Sequence, residues 1–337
     1  MLWYKNVQFI AYSIDTKPDY ANGRYLARSV PSDDVDTRVA IMEAAVDEAR
    51  ANASTSTYCL KVFVAPEFFF RSRTGAYDLD AYQRVLSGLH AWASDAQYEH
   101  WVFFFGTIIT TFLAENGDRE ILNVALVEKG GGGERKAVIK ENLLEGDLLR
   151  NAQIKPGSDP NAITFENVVG VKSGDDFYAA RNRGNNKELQ AHGFDGTSIF
   201  DLAGVRFAVE ICADHMGGRL IESPTGRFTY HPQLQVITSC GTMGIIDRSV
   251  VASQGGYVFL SDGFFADTVN GMRSELGRVT TAKPSKDDGA TIANVVIASA
   301  TSMAGKLPGH WAKCFAAPGE VRLYPAQALP WAKQRWF

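Results

Sequence analysis

The run WVFFFGTIIT, residues 101–110, is apolar on both of its alternating faces. A strand half open to water alternates apolar and polar residues, so a strand that does not alternate has to be covered on both sides. This run therefore demands a sheet held between two further layers. The segments around it alternate in kind. VQFIAYSI, from Val7, reads as a strand, and SDDVDTRVAIMEAAVDEARA, residues 32–51, as a helix. That helix opens on acidic residues and places Val39, Met42, Ala45, Val46 and Ala49 at helical spacing. CLKVFVAPE reads as a second strand, stopped by Pro66. Residues 78–97 form a second amphipathic helix, with Leu79, Tyr82, Leu86, Leu89 and Trp92 along one face.

Beyond residue 110, residues 121–143 read as a hairpin turning at Gly130–Gly133, and SIFDLAG, VRFAVEIC, LQVITSC, GGYVFLSD and ANVVIAS as further strands. The pattern is α/β around one continuous core, a single domain over residues 1–337. Residues 151–196 are polar and rich in Asn and Gly, and are expected to form an insertion or long loop near the functional site. Residues 318–337 are expected to be a C-terminal tail, ending in Trp331, Trp336 and Phe337.

Composition excludes several classes of function. The net charge is −4 and no run of Lys and Arg stands out, which argues against nucleic acid or an anionic membrane surface as partner. No apolar run approaches the roughly 20 residues a membrane span needs, and the first residues lack a signal-peptide core. Cys59, Cys212, Cys240 and Cys314 lie far apart with no CxxC pair, a poor disulfide framework that fits a reducing, cytoplasmic compartment.

Three strand ends carry a reactive residue. In KVFVAPEFFFR, Pro66 cannot continue a central ladder, so the chain leaves the sheet where Glu67 appears. Rings of Phe68 to Phe70 follow, and a carboxylate among rings is desolvated, with a raised pKa suited to a general base. In ERKAVIKENLLEGD, Lys136 and Lys140 share a strand face with Val138. Lys136 sits by the hairpin turn and reads as solvated. Lys140 lies at the far end, where an ammonium can stabilise an oxyanion or favour a thiolate. In VRFAVEICADHMGG, Cys212 ends a strand on which alternation puts Glu210, Cys212 and Ala208 on one face. Taken alone, Cys212 also fits a small core hydrophobe.

Together the three motifs resemble those of the nitrilase superfamily of carbon–nitrogen hydrolases, whose triad runs Glu, Lys, Cys in that order. The resemblance spans nearly the whole chain and implies a four-layer α-β-β-α sandwich, with Glu67, Lys140 and Cys212 as catalytic residues. It further implies Glu145 as a second acid, with Glu141 as the other choice, and the backbone N–H of Ala213 as an oxyanion donor. Phe68, Tyr77, Asp214, His215, Ser239 and Gly241 are the candidate substrate-binding residues, with Asp262 also near the pocket. Arg71 and Arg73 could meet an anionic substrate, but read better as a solvated loop. The implied activity is hydrolysis of a small-molecule amide through a cysteine thioester, with no metal or organic cofactor, by a homodimer or higher oligomer. The motif after the cysteine, ADHMGG, departs from the family, and the Cys-Trp-Glu wording of nitrile hydrolysers is absent, which favours an amide.

The competing readings are a nitrile or carbamoyl hydrolase on the same triad, and a catalytically silent binding module. Cys240, which also ends a strand-like run, is the rival nucleophile. A metal site built on Cys212, Asp214 and His215, joined by His192 or His231, is a further alternative.

Overall fold

The computed structural model describes residues 4–113, 117, 119–140, 143, 147–168, 198–222, 232–241, 244–264, 274–282 and 288–330. The first sheet contains β1 (Asn6–Ser13), β2 (Cys59–Val64), β3 (Trp101–Leu113), β4 (Arg119–Lys129) and β5 (Arg135–Ile139), then β12 (Ser299–Ser302), β13 (Glu320–Leu323) and β14 (Gln327–Ala328). Its order is β12-β13-β1-β2-β3-β4-β5, with β14 also beside β1. The second sheet contains β6 (Ile199–Leu202), β7 (Val205–Ile211), β8 (Leu234–Ser239), β9 (Tyr257–Asp262), β10 (Ser274–Thr281) and β11 (Thr291–Asn294). Its order is β11-β10-β9-β8-β7-β6. Both sheets are mixed: β1, β2 and β3 run parallel in one, and β7, β8 and β9 in the other.

The two sheets pack face to face. Phe9, Val62, Val64 and Phe104 meet Phe207, Val209, Val236 and Phe259 in one buried layer, with the Phe9 and Phe259 rings 5.1 Å apart. Helices α1 (Pro31–Asn52) and α2 (Leu79–Ala93) cover the outer face of the first sheet. There Ile41, Met42, Val46, Tyr82, Val85 and Leu89 bury against Phe63, Phe103 and Phe105. Each such side chain contributes about 1.5–3 kcal/mol by leaving water. Val102 and Phe104 of β3 thus face inward while Phe103 and Phe105 face the helices, which is why WVFFFGTIIT carries no polar face.

On the outer face of the second sheet, the described residues contribute only short helices, α3 (Ala213–Met216) and α4 (Arg219–Glu222). Leu220 packs there on Ala208 and Val251. The order α-β-β-α holds, with a thin fourth layer among the described residues. None of their helices is long and apolar enough to cross a membrane.

Three sequence expectations need correction. ANVVIAS is two short strands in different sheets, not one strand: β11 pairs with β10, β12 with β13, and Val295 and Ile297 pack on the inter-sheet layer between them. Residues from 318 do not begin a tail; they supply β13 and β14, whose Val321 and Leu323 are buried. Residues 151–168 form loop and short 3-10 turns beside Phe68, but that loop is not polar throughout: Ile163 and Val168 are buried against Tyr25 and Phe68. The remaining residues of that stretch, 169–196, and the terminal residues 331–337 lie outside the described residues.

Candidate active site

Glu67 stands where the chain turns off the first sheet. The Ala65 N–H still donates to Phe104 in β3, but Pro66 has none to give. The β3–β4 register shifts between Phe104 and Thr107. Gly106 sits in that bulge with φ of +74°, and a Cβ there would lie 2.2 Å from the Pro66 carbonyl oxygen. The bulge lets the Thr107 hydroxyl accept the Phe68 N–H at 2.8 Å. Phe68 itself has φ of +62°, a left-handed backbone that costs of order 1–3 kcal/mol and persists only where its surroundings hold it. Thr16 donates to the Glu67 carbonyl at 2.6 Å. The carboxylate is fully buried.

Lys140 follows β5 directly, its N–H donating to Asn123 of β4. Its ammonium reaches Glu67 Oε1 at 2.8 Å and both carboxylate oxygens of Asp147, at 2.8 and 2.9 Å. The Asn123 amide donates to both Glu67 Oε1 and Asp147 Oδ1. Glu67 Oε1 is thus saturated, while Oε2 is buried with no hydrogen-bond partner among the described residues. One carboxylate oxygen anchors the site and the other is free to take a proton.

Cys212 follows β7 directly, with φ of +46° and ψ of −104°. This kink overturns the alternation read from the sequence. Glu210 and Ala208 do lie on the outer face, but Cys212 turns back into the inter-sheet layer with Val209 and Ile211. The Ser239 hydroxyl and the Cys240 backbone N–H hydrogen-bond the thiol, and Glu67 and Lys140 both act on it electrostatically. The Ala213 N–H is the first of α3, and a first-turn N–H has no acceptor within its own helix.

Beneath the kink lies a second polar cluster. The Glu210 carboxylate contacts His215 Nδ1 at 2.7 Å and accepts from Gln235 at 2.8 Å. The Ile246 N–H donates to His215 Nε2 at 3.0 Å. A backbone N–H can only donate, so Nε2 is the bare nitrogen and Nδ1 carries the proton. The cluster ties the turn after Cys212 to β8.

These surroundings set the protonation states. Burial pushes Glu67 up to about 7, Lys140 pulls it down and Asp147 pushes it up again. Burial raises the Cys212 thiol to about 12, with Glu67 adding to the rise and Lys140 opposing it. Burial pulls Lys140 down, but Asp147, Glu67 and Cys212 outweigh it and hold the ammonium well above its ordinary value. At neutral pH the thiol is protonated, the lysine is charged, and Glu67 is poised to exchange a proton.

Of the sequence candidates, Glu67, Lys140, Cys212, Ala213, Phe68 and Ser239 come together here. Phe68 places its ring 5.6 Å from the Lys140 ammonium. The Gly241 N–H donates to Asp262 at the end of β9, and Asp214 is buried in α3. Tyr77 does not belong to this site. Its hydroxyl donates to Asp34 in the helix-side core, because Tyr77 pairs with Thr110 along β3 and faces α1. His215 is no substrate ligand either, since Glu210 and Ile246 occupy both ring nitrogens. Arg71, read as solvated, is buried. Glu141 and Glu145 lie outside the described residues, as do His192 and His231. The described acid on Lys140 besides Glu67 is Asp147, which sequence reasoning missed along with Asn123. Among the described residues no three His, Cys, Asp or Glu side chains gather as a metal site.

No family model matches this chain, and no curated protein matches it. Among solved structures it is similar to an amidase from Nesterenkonia sp., at 13% identity and a TM-score of 0.40, over 87% of this chain and 90% of that one. A mutant of the Nesterenkonia AN1 amidase from the nitrilase superfamily matches at 12% identity and a TM-score of 0.41, over 87% and 91%. The glutamine-dependent NAD+ synthetase from Acinetobacter baumannii, in complex with ADP, matches at 12% identity and a TM-score of 0.38, over 87% of this chain and 46% of that one.

Proposed function

We propose that this chain is a thiol-dependent hydrolase of a carbon–nitrogen bond, of the nitrilase superfamily type, acting on a small-molecule amide. The observation that carries the reading is the buried Glu67: Oε1 is fixed by Lys140 and Asn123, Oε2 has no hydrogen-bond partner among the described residues, and the Cys212 thiol lies within its field. A carboxylate used only for structure would be saturated on both oxygens.

Glu67 takes the Cys212 proton as sulfur attacks the amide carbon, and the carbonyl pair moves onto oxygen. Lys140 and the Ala213 N–H hold that oxyanion. Protonated Glu67 then gives its proton to the departing nitrogen, so ammonia or an amine leaves and a thioester remains. Glu67 next removes a proton from water, hydroxide adds to the thioester, and the Cys212 sulfur leaves with the proton from Glu67. The products are a carboxylic acid and the restored thiol. Asp147 has no place in proton transfer on this scheme; it keeps Lys140 charged and in position.

The test is ammonia release over a panel of primary amides, carbamoyl compounds, N-terminal Asn or Gln peptides and nitriles. Wild type and Cys240→Ala are expected to turn over an amide, and Cys212→Ala to be inactive. Activity that survives Cys212→Ala but not Cys240→Ala overturns the assignment. An inert wild type with Cys212 no more reactive to iodoacetamide than free cysteine favours a silent binding module.

A further inference from the structure

Arg71 is the odd charge in this molecule. Its residue is 3% exposed, and its guanidinium lies between two rings, 3.8 Å from the Phe68 centroid and 5.5 Å from that of Tyr25. One nitrogen, Nη2, donates to the Asp147 carbonyl oxygen at 3.0 Å. Nε and Nη1 are buried and have no hydrogen-bond partner among the described residues. Arg38, equally buried, shows how this chain treats a guanidinium of structural purpose. It pairs with Asp34 at 3.0 Å and donates to the carbonyls of Phe69 and Leu26 at 2.6 Å each. Among the described residues Arg71 has no such carboxylate, because the nearby Asp147 oxygens are taken by Lys140 and Asn123. A buried cation with idle donors is costly unless something else supplies the anion.

A cavity adjoins Arg71. Its volume is about 420 Å³, and Arg71 lines it together with Phe68, Thr16, Lys17 and Tyr20. The Lys17 ammonium on the same wall is 3.9 Å from Asp15, and Asp15 and Asp19 line the cavity too, so Arg71 is the cation the described carboxylates leave uncompensated. Phe68 is the shared partition: one ring carries Arg71 at 3.8 Å and Lys140 at 5.6 Å. Tyr20 feels the charges of Arg71, Asp147 and Glu67 together, which places the cavity next to the triad.

We propose that Arg71 is the specificity-determining residue of an anion subsite, and that the substrate is an amide bearing a carboxylate at the end away from the scissile bond. The planar guanidinium offers a fork matched to a carboxylate's two oxygens. This rests on the hydrolase reading above for its chemistry, but the anion subsite is testable without turnover.

Two measurements on the full chain decide it. In the first, kcat/KM is compared for succinamate and glutaramate against the neutral amides of the same length, butyramide and valeramide. Wild type is expected to favour the carboxylates by about a hundredfold, the scale of losing charge-assisted bonds to a buried cation. Arg71→Met is expected to erase that ratio, chiefly through KM, and Arg71→Lys to retain part of it because charge remains without the fork. In the second, Cys212→Ala is titrated with glutarate and, separately, with neutral glutaramide, following the melting temperature. Glutarate is expected to stabilise it and glutaramide not, with the shift gone once Arg71→Met is added. Equal kcat/KM for charged and neutral amides overturns the subsite while leaving the hydrolase reading intact. A glutarate shift without hydrolysis of any amide supports the subsite and removes the hydrolase reading. A glutarate shift that persists in Arg71→Met, or none in Cys212→Ala, overturns the subsite, and the second result needs no folded Arg71 variant.

Discussion

Replacing Asp147 by Asn changes one atom type at the centre of the site and separates two roles. Asp147 accepts two hydrogen bonds from the Lys140 ammonium and one from Asn123, and its negative charge is one of the causes that lift Glu67 to about 7. Asn keeps the shape and one acceptor oxygen but loses the charge. Each charge-assisted bond to the ammonium is worth about 1.5–3 kcal/mol, so losing one loosens Lys140 by that order. In the transition state this corresponds to a fall in kcat/KM of about a hundredfold. The pH profile moves as well. The proposed mechanism needs ionised Glu67, so in wild type kcat/KM is expected to be lost as pH falls through about 7. Removing the Asp147 charge takes away an upward push on Glu67 and leaves Lys140 to stabilise its anion, so the acidic limb shifts to lower pH. The assay is ammonia release from the fastest amide of the panel across the pH range. The rate of iodoacetamide labelling at Cys212, resolved by peptide mass, gives a check that needs no substrate. An acidic limb that stays in place, or moves to higher pH, refutes the coupling of Asp147 to Glu67.

Three further outcomes follow from the geometry. Gly106→Ala puts a Cβ 2.2 Å from the Pro66 carbonyl at φ of +74°; left-handed backbone alone costs roughly 1–2 kcal/mol, so urea denaturation is expected to show at least that loss, with slower turnover as Glu67 shifts. His215→Leu strips Glu210 of a partner at 2.7 Å and leaves the Ile246 N–H without an acceptor, an expected loss of about 1.5–3 kcal/mol by the same measurement, as for a lost hydrogen bond to a buried charge; a loss under about 0.5 kcal/mol would show that the cluster does not hold the turn. Cys212→Gly is expected to be no less stable than Cys212→Ala, because glycine relieves the positive φ at that position, and a clear stability advantage for alanine would show the kink is unstrained.

Glu67 and Lys140 are legible in the sequence because each follows an apolar strand whose period and terminus are plain in KVFVAPE and KAVIK. Their partners are less so. Asp147 lies seven residues beyond Lys140, in a stretch with no period to place it, where Glu141 and Glu145 compete for the same role. Asn123 sits mid-strand on β4 and carries no motif. Arg71, next to Arg73 after three phenylalanines, has the local look of a loop cation; its burial depends on Tyr25 and Asp147, both far away in the chain. The face of Cys212 is illegible for another reason. Alternation assumes the strand continues, and a positive φ at the residue after β7 breaks that assumption. ANVVIAS likewise reads as one strand because composition says nothing of a chain crossing between sheets.

The central claim is that Cys212 carries the acyl group of an amide. Acid quench during turnover of the fastest amide, followed by peptide mass analysis, reads this directly. An acyl adduct is expected on the peptide containing Cys212, removed by hydroxylamine as a thioester is, and absent from Cys212→Ala. An adduct on Cys240 instead, or ammonia release at the wild-type rate from Cys212→Ala, contradicts it.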